Sequence, residues 1–359
     1  LKIVQVTTEL RPAGAEKIVA TLSKALANSG HEVTVISLCP LPSESVIIEE
    51  LEEAKVKILS LGLTKKTVWR IFKLRKILNS LSPDIVHSHL IHANICTRLN
   101  WNRSKTPLVN TVHIAERRQG KNWHFTLDKL TLSRCSCQTA VSKAVRDFHC
   151  AKLNVSPDSM PVIYNGIIPP AVTSPSDISA LRKEWQVEEC DKLIGSVGRL
   201  DWQKGYDIFL QQLTELGKLI PENQNWGVVL LGEGPERSNL EKIAANAPAN
   251  ISVKLPGFRA DAPDCIGAFD LFVMPSRYEG FGLTLAEAMA QGVTILCSNM
   301  DSLPELIADY PAGKDIDFEN APAREIIDFI NKAKIAPDLR FSDQEMVANY
   351  LDLYHKLKG

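Results

Sequence analysis

Residues 275–292 read Pro275-Ser276-Arg277-Tyr278-Glu279-Gly280-Phe281-Gly282-Leu283-Thr284-Leu285-Ala286-Glu287-Ala288-Met289-Ala290-Gln291-Gly292, and this stretch decides the fold. Ahead of it runs Asp270 to Met274, a short apolar run that reads as a buried strand. Behind the glycines, Leu283, Ala286 and Ala290 recur at helical spacing with Leu285 and Met289 interleaved, and Gly292 is a stop signal. Strand, glycine-bearing turn and helix, in that order, point free backbone N–H groups into the turn. A helix start carries roughly +0.5 charge and its first amides lack partners, so an anion is the natural ligand. Gly280 and Gly282 remove the side chains that would hold a phosphate away.

Two carboxylates flank this turn. If residues 279–287 were continuous helix, Glu279 and Glu287 would stand about 12 Å apart. Glycosidase carboxylate pairs sit roughly 5–9.5 Å apart, so a hydrolase pair matches only if the turn folds the two closer. Two readings stay open. In one, each Glu takes a hydroxyl-bearing group on either side of a phosphate, the layout of a sugar joined to a ribose by a pyrophosphate. In the other, Glu287 is a helix-surface residue and Glu279 a helix-start carboxylate favoured by the dipole.

The 359 residues suffice for two domains, and 45% hydrophobic with 23% charged residues is the balance of a soluble globular protein. No apolar run approaches the roughly 18 residues that span a bilayer. The opening Leu1-Lys-Ile-Val-Gln-Val6 enters a strand at once, without a signal-peptide layout, so a cytoplasmic location is expected. The eight cysteines are scattered, and the one close pair is Cys135-Ser-Cys137, so neither a disulfide framework nor a zinc site is expected. Residues 1–170 hold 23 Lys and Arg against 13 Asp and Glu, and the remainder 18 against 29, so the halves carry +10 and −11. The basic half calls for an anionic partner, foremost a membrane surface or a phosphorylated lipid.

Residues 1–170 alternate short apolar runs with helical stretches, the pattern of a parallel sheet flanked by helices. Strands are expected at Ile3–Val6, Glu32–Ser37, Val56–Leu59, Asp84–His87, Leu108–Val112, Cys137–Val141 and Pro161–Tyr164. Gly14 sits where the first strand meets a helix expected from about Lys17 to Asn28, but the triple-glycine turn of a dinucleotide site is absent. Lys65 to Lys76 carries six positive charges with Trp69 and Phe72 among them. That pattern fits either a helix lying on anionic lipid or the solvated face of a sheet-packing helix. His87, His89 and His92 invite a metal reading, yet neutral histidines at a strand end, partly buried in a cleft, account for them more simply. His113 closes another strand, and the carboxyl end of a parallel strand faces the ligand crevice. Glu116–Lys121 with Trp123 forms a candidate acceptor loop.

Asn165-Gly166 and Pro169-Pro170 mark a hinge, and residues 171–180 read as linker. The second half restarts the alternation. A strand at Leu193–Val197 leads into Gly198-Arg199-Leu200 and on to Lys204-Gly205, where Arg199 offers a planar fork of donors and Lys204 a point charge, both suited to pyrophosphate oxygens. Val228–Leu231 precedes Gly232, and Val253–Leu255 precedes Gly257-Phe258-Arg259. Asp315-Ile-Asp317 matches a metal-binding triplet, but so short a pattern recurs by chance and no convincing strand run precedes it. A last helix is expected from Ser342 to about Leu357.

The Glu279-x7-Glu287 stretch resembles the donor-site motif of the retaining nucleotide-sugar glycosyltransferases of family 4, and Gly198-Arg-Leu-x4-Lys-Gly205 resembles their diphosphate-binding pair. The resemblance covers nearly the whole chain. It implies a GT-B fold, two doubly wound Rossmann-like α/β domains facing a central cleft. Residues 1–170, joined by about 342–359, would bind the acceptor, and residues 171–341 the nucleotide sugar. By the same resemblance Glu279 meets hydroxyls of the transferred sugar, Glu287 the ribose, and the backbone of Gly280, Phe281, Gly282 and Leu283 the diphosphate. Arg199 and Lys204 hold the phosphates, and Gly14, Gly232, Phe258 and Arg259 complete the donor site. His113 would bond the sugar and support charge at the anomeric centre. Ala13-Gly14-Ala15-Glu16 departs from the family's Gly-Gly-x-Glu at its first glycine, and Asn299 to Glu305 replaces a commoner glycine-rich loop.

The implied reaction moves a hexosyl or N-acetylhexosaminyl unit from a UDP-sugar to a saccharide or lipid-linked acceptor for a cell-surface glycan. It retains configuration and needs neither metal nor cofactor; nucleic acid is not an expected partner. A location on the inner face of the cell membrane, through Lys65–Lys76, is the expected refinement. Two rivals are a nicotinamide-dependent oxidoreductase and a non-catalytic nucleotide-sugar-binding subunit.

Overall fold

A computed structural model describes residues 1–11, 13–101, 106–114, 122–320 and 322–359, excluding the side chain of Asn122. The chain divides into two compact units, Leu1–Ile168 with Phe341–Gly359, and Pro169–Arg340.

The first unit is built on six parallel strands: β1 (Lys2–Thr7), β2 (Glu32–Ser37), β3 (Lys57–Ser60), β4 (Ile85–His89), β5 (Leu108–Val112) and β6 (Cys137–Ala140). Their order is β3-β2-β1-β4-β5-β6. Ile3 pairs with Val33 on one side and Ile85 on the other, so β1 is a central strand, and it is buried from Ile3 to Thr7 with Gln5 set among its apolar residues. The second unit holds β7 (Lys192–Val197), β8 (Trp226–Leu231), β9 (Ile251–Gly257), β10 (Leu271–Met274), β11 (Thr294–Ser298) and β12 (Gly313–Ile316), in the order β12-β11-β10-β7-β8-β9. Each is the Rossmann order. The strand sequence reverses between β1 and β4 in one sheet and between β7 and β10 in the other, and ligands settle at the carboxyl ends of such reversals. One face of the second sheet is closed by Phe209, Leu213 and Ile326 packing on Val228, Leu230, Leu271 and Val273.

Several expectations need correction. Pro161–Tyr164 forms no strand: Val162 makes one isolated bridge to Ala140, and Ile167 then turns away to pair with Ser342. Residues 171–180 are not a linker. Ser174 and Asp177 form a reciprocal capping box with Pro175 at the first helical position, and a helix runs Pro175–Glu184. The first helix begins at Gly14 itself, earlier than Lys17, and runs to Asn28. Asp315 does lie in a strand, β12, while Asp317 stands after it and accepts from Glu319 N at 2.9 Å and Asn320 Nδ2 at 2.7 Å.

The final helix, Asp343–Lys358, is capped by Ser342 and belongs to the first unit. It buries Met346, Tyr350 and Tyr354, which stand one helical turn apart, and packs along Gly14–Asn28. Its tyrosines seal polar strand residues. His87 Nδ1 bonds Tyr354 Oη at 2.7 Å, His87 Nε2 bonds Thr111 Oγ1 at 2.7 Å, and Thr111 Oγ1 bonds Tyr350 Oη at 3.0 Å. His87 and His89 are therefore fully enclosed by the unit's own groups, not lining a cleft.

On the other face of this sheet lies a buried charge cluster. Arg98, from helix Ile91–Asn100, donates to Asp128 Oδ1 at 2.5 Å and to Asn110 Oδ1 at 2.5 Å. His149 Nε2 bonds the other Asp128 oxygen at 2.7 Å. Burial pushes the Asp128 carboxyl up, but the His149 hydrogen bond and the Arg98 charge more than offset this, and its pKa ends below the ordinary value.

Candidate functional site

At the reversal in the second sheet, the loops after β7 and β10 stand side by side because these strands pair, Leu271 opposite Ile194. In the first loop Asp201 Oδ1 accepts from Gln203 N at 3.2 Å and opens the short turn Trp202–Lys204. That turn ends at Gly205, whose φ is +64° and where a Cβ would fall 2.0 Å from Pro275 O. Only glycine lets the two backbones touch there.

Polar contacts then lace the loops together. Arg277 N donates to Gln203 O at 2.8 Å, and Gln203 Nε2 donates to Tyr278 O at 3.0 Å. The Arg277 guanidinium donates to Trp202 O at 2.7 Å, lies 4.7 Å from the Trp202 ring centroid, and forks onto both oxygens of Asp207 at 2.8 and 2.7 Å. Lys204 Nζ donates to Glu279 Oε1 at 2.6 Å. That ion pair is shielded, with side chains 19% and 8% exposed. Ser276 Oγ donates to the same Oε1 at 2.9 Å, and Asp301 Oδ2 accepts from Glu279 N at 3.1 Å. Burial opposes the Lys204 charge, but nearby Glu279, reinforced by Glu287, raises its pKa overall.

Next comes Gly282, with φ +87°, at the start of helix Leu283–Ala290. The Phe281 ring is buried and its carbonyl accepts from Ser302 Oγ at 3.1 Å, so Phe281 can offer a ligand only backbone. Glu287 is 3% exposed, which removes the reading of it as a helix-surface residue. An open cavity of about 600 Å³ is walled by Trp202, Pro275 and Arg277 from the two loops, with Asn299, Met300 and Asp317 from the ends of β11 and β12.

The other sequence candidates divide. Arg199 reaches into solvent, 71% exposed, with Asp201 at 3.7 Å. Gly232, with φ +150°, brings the end of β8 against Gly198 O, where a Cβ would fall 2.0 Å away. Phe258 is exposed just past β9, whereas the Arg259 guanidinium is held by Glu184 and by Asp261. Arg277, Asp207, Gln203 and Ser276 build the site and went unread in the sequence. The partners of Arg277, Asp207 and Gln203 lie 70 to 75 residues away, and no local spacing signals them.

In the first unit Gly14 opens its helix at the end of β1. Two residues on, Glu16 is buried in the first turn, and desolvation raises its pKa to about 7. His113, just past β5, is buried with its pKa lowered to about 4 by that burial, and its Nε2 lies 3.0 Å from His89 Nδ1. Such an imidazole is neutral at physiological pH. Of the expected acceptor loop, Glu116–Lys121 lies outside the described residues, and Trp123 is exposed. The basic stretch forms a short turn, Val68–Phe72, then helix Lys73–Leu81. Trp69 and Phe72 are 57% and 76% exposed, and the Lys73 amine lies 5.5 Å from the Trp69 ring centroid. Among the described residues no helix is long and apolar enough to cross a membrane, and no three His, Cys, Asp or Glu side chains gather where they could hold a metal ion.

The family Glycosyltransferase Family 4 matches residues 12–169, and the family Glycosyl transferases group 1 matches residues 177–340. A lipopolysaccharide core biosynthesis mannosyltransferase of Rhizobium meliloti is 34% identical over 41% of this chain and 42% of its own. An uncharacterised glycosyltransferase of Methanocaldococcus jannaschii is 28% identical over 86% of this chain and 83% of its own. Among solved structures, Anabaena HepE in complex with UDP superposes with a TM-score of 0.82 at 20% identity, covering 99% of this chain and 100% of that one. The GT-B likeness of the two Rossmann-like units thus extends along the chain, with residues 170–176 alone between the two family matches. The chain is a glycosyltransferase of family 4, with the group 1 glycosyltransferase unit as its second half.

Proposed function

We propose that this glycosyltransferase moves a hexosyl or N-acetylhexosaminyl unit from a UDP-sugar to a saccharide or lipid-linked acceptor of a cell-surface glycan. Configuration is retained and no metal ion takes part. The observation that carries the reading is the shielded Lys204–Glu279 pair at the strand reversal, three residues ahead of Gly282, where a helix starts with no side-chain cap. An ammonium has three N–H groups, and the bond to Glu279 aims it while the others meet a diphosphate. Among the described residues both side-chain hydrogen bonds to the Glu279 carboxylate fall on Oε1, and its second oxygen takes a sugar hydroxyl. The amides of Gly282 and Leu283 and the exposed fork of Arg199 complete the phosphate shell, and Glu287 holds the ribose. HepE, whose structure contains UDP, and relatives named for lipopolysaccharide and O-antigen synthesis support the donor and the pathway class.

In the reaction the bond from the anomeric carbon to the phosphate oxygen breaks, and the acceptor oxygen bonds that carbon on the same face. The acceptor's proton passes to the departing phosphate, so UDP leaves without an enzyme carboxylate attacking. Lys204 and the helix start stabilise the charge developing on the leaving group, a few kcal/mol per contact in such sites. A screen of UDP-glucose, UDP-galactose and UDP-N-acetylglucosamine in the presence of EDTA is expected to release UDP from at least one, with the glycoside product keeping the donor's anomeric configuration. Release from none of them, or only after a divalent metal is added back, would overturn the reading.

The acceptor side meets an anionic bilayer through Lys65–Lys76, with Trp69 and Phe72 entering the headgroup layer. Leu99 and the stripe Trp123, Leu127 and Leu130 expose more apolar surface on the next two helices. The protein is expected to float with phosphatidylcholine vesicles only when phosphatidylglycerol is included. Lys73→Glu with Lys76→Glu should weaken that binding steeply, at about 1 kcal/mol per lysine lost and again per acid gained. Flotation indifferent to lipid charge would remove this role.

A further inference from the structure

Three side chains of the first unit form a row across β1, β4 and β5, on one face of the sheet. Gln5 Oε1 lies 2.6 Å from His89 Nε2, and His89 Nδ1 lies 3.0 Å from His113 Nε2. Gln5 and His89 are wholly buried and His113 is 8% exposed. Burial pushes both imidazoles well below the ordinary histidine value, so each carries one N–H. Proton positions follow from bonding rules. An amide oxygen has no hydrogen to give, so His89 Nε2 is the donor to Gln5. The other nitrogen of His89 must then accept, and the hydrogen in the second contact belongs to His113 Nε2. His113 Nδ1 is left with a bare lone pair, and it has no partner among the described residues.

We infer that Gln5 and His89 are positioning residues that hold His113 as the Nε2–H tautomer, so that its Nδ1 accepts a hydrogen bond from a saccharide hydroxyl at the end of β5. The inference rests on the glycosyl-transfer reading for its ligand class and on the hydrogen-bond row for its geometry. It makes His113 a selector. A site that can only accept recognises a free hydroxyl and loses its bond when that hydroxyl is methylated or missing. The hydroxyl has two sources, the donor sugar and the acceptor saccharide, and both present the same O–H.

Long-range proton–nitrogen spectra of histidine-labelled enzyme read the tautomer directly. The expected wild-type result is a proton on His113 Nε2 and a bare Nδ1. UDP-glucose, UDP-galactose and UDP-N-acetylglucosamine form one titration arm, and the methyl glycosides of the same sugars form the other. Movement of the Nδ1 resonance in either arm supports the inference, and the arm that moves it names the source. Gln5→Leu should mix the tautomers of His113 and raise KM for that saccharide about tenfold, with kcat changed far less. Should Gln5→Leu fail to fold, the wild-type spectrum decides alone. A proton on His113 Nδ1, or an Nδ1 unmoved by both arms in enzyme that releases UDP, overturns the inference. Failure of UDP release, with the tautomer as expected, strikes the transfer reading instead.

Discussion

Lys204→Ala is expected to lower kcat by about 10²- to 10³-fold while the donor KM changes by less than about tenfold. The ammonium sits 2.6 Å from Glu279 Oε1 in a shielded pocket. Its charge gains most when the sugar–phosphate bond stretches and negative charge collects on the leaving oxygen, which puts the loss in turnover. The substitution also strips a buried carboxylate of its counter-ion. A Glu279→Gln partner variant and the double variant therefore belong in the same experiment, because a cycle isolates the coupling from the cost of an orphaned acid. Thermal unfolding midpoints of all the variants separate loss of fold from loss of chemistry. Equal losses in kcat and donor affinity would assign Lys204 to ground-state binding and remove it from the leaving-group role.

Arg98→Ala is expected to destabilise the protein by about 3–5 kcal/mol in urea unfolding of the first unit, since it strips buried Asp128 of its guanidinium partner and leaves it the His149 hydrogen bond. Arg98 and Asp128 are 0% and 1% exposed, so water cannot take over the lost contacts. Replacing both members with apolar residues, Arg98→Met with Asp128→Leu, should recover much of the loss, because it removes the charge along with its partner. The same pair sets an acid limb. Asp128 has a folded pKa below its unfolded value, so its stabilising contribution is present at neutral pH and fades as pH falls through the folded value. Arg98→Ala should flatten that limb. A destabilisation below about 1 kcal/mol would mean that the cluster is solvated more than its burial implies.

The turn at 275–292 was legible because everything it needs is local: an apolar run, two glycines and a helical period. The pairing that makes it a site was not. Lys204 and Glu279 were each readable as ligands of a nucleotide sugar, but their mutual bond depends on β7 and β10 lying side by side, and strand order is not written in any window of sequence. Arg277 and Asp207 escaped notice for the same reason. His87 was read as lining a cleft because Tyr354, which seals it, lies 267 residues further on. The stretch after Pro170 shows an opposite error. Its Ser, Pro and Ala composition hid a capping box whose spacing, Ser174 to Asp177, was in plain view. Pro161–Tyr164 had the apolar residues of a strand but found only one bridging partner.

The closing helix carries a consequence for biosynthesis. Tyr350 plugs a strand group synthesised 239 residues earlier, and Tyr354 one synthesised 267 residues earlier. At typical elongation rates of 5–20 residues per second, those strand groups wait roughly 10–50 s for their plug. During that interval His87 and Thr111 lack their tyrosine partners, and chaperones can engage the nascent chain there.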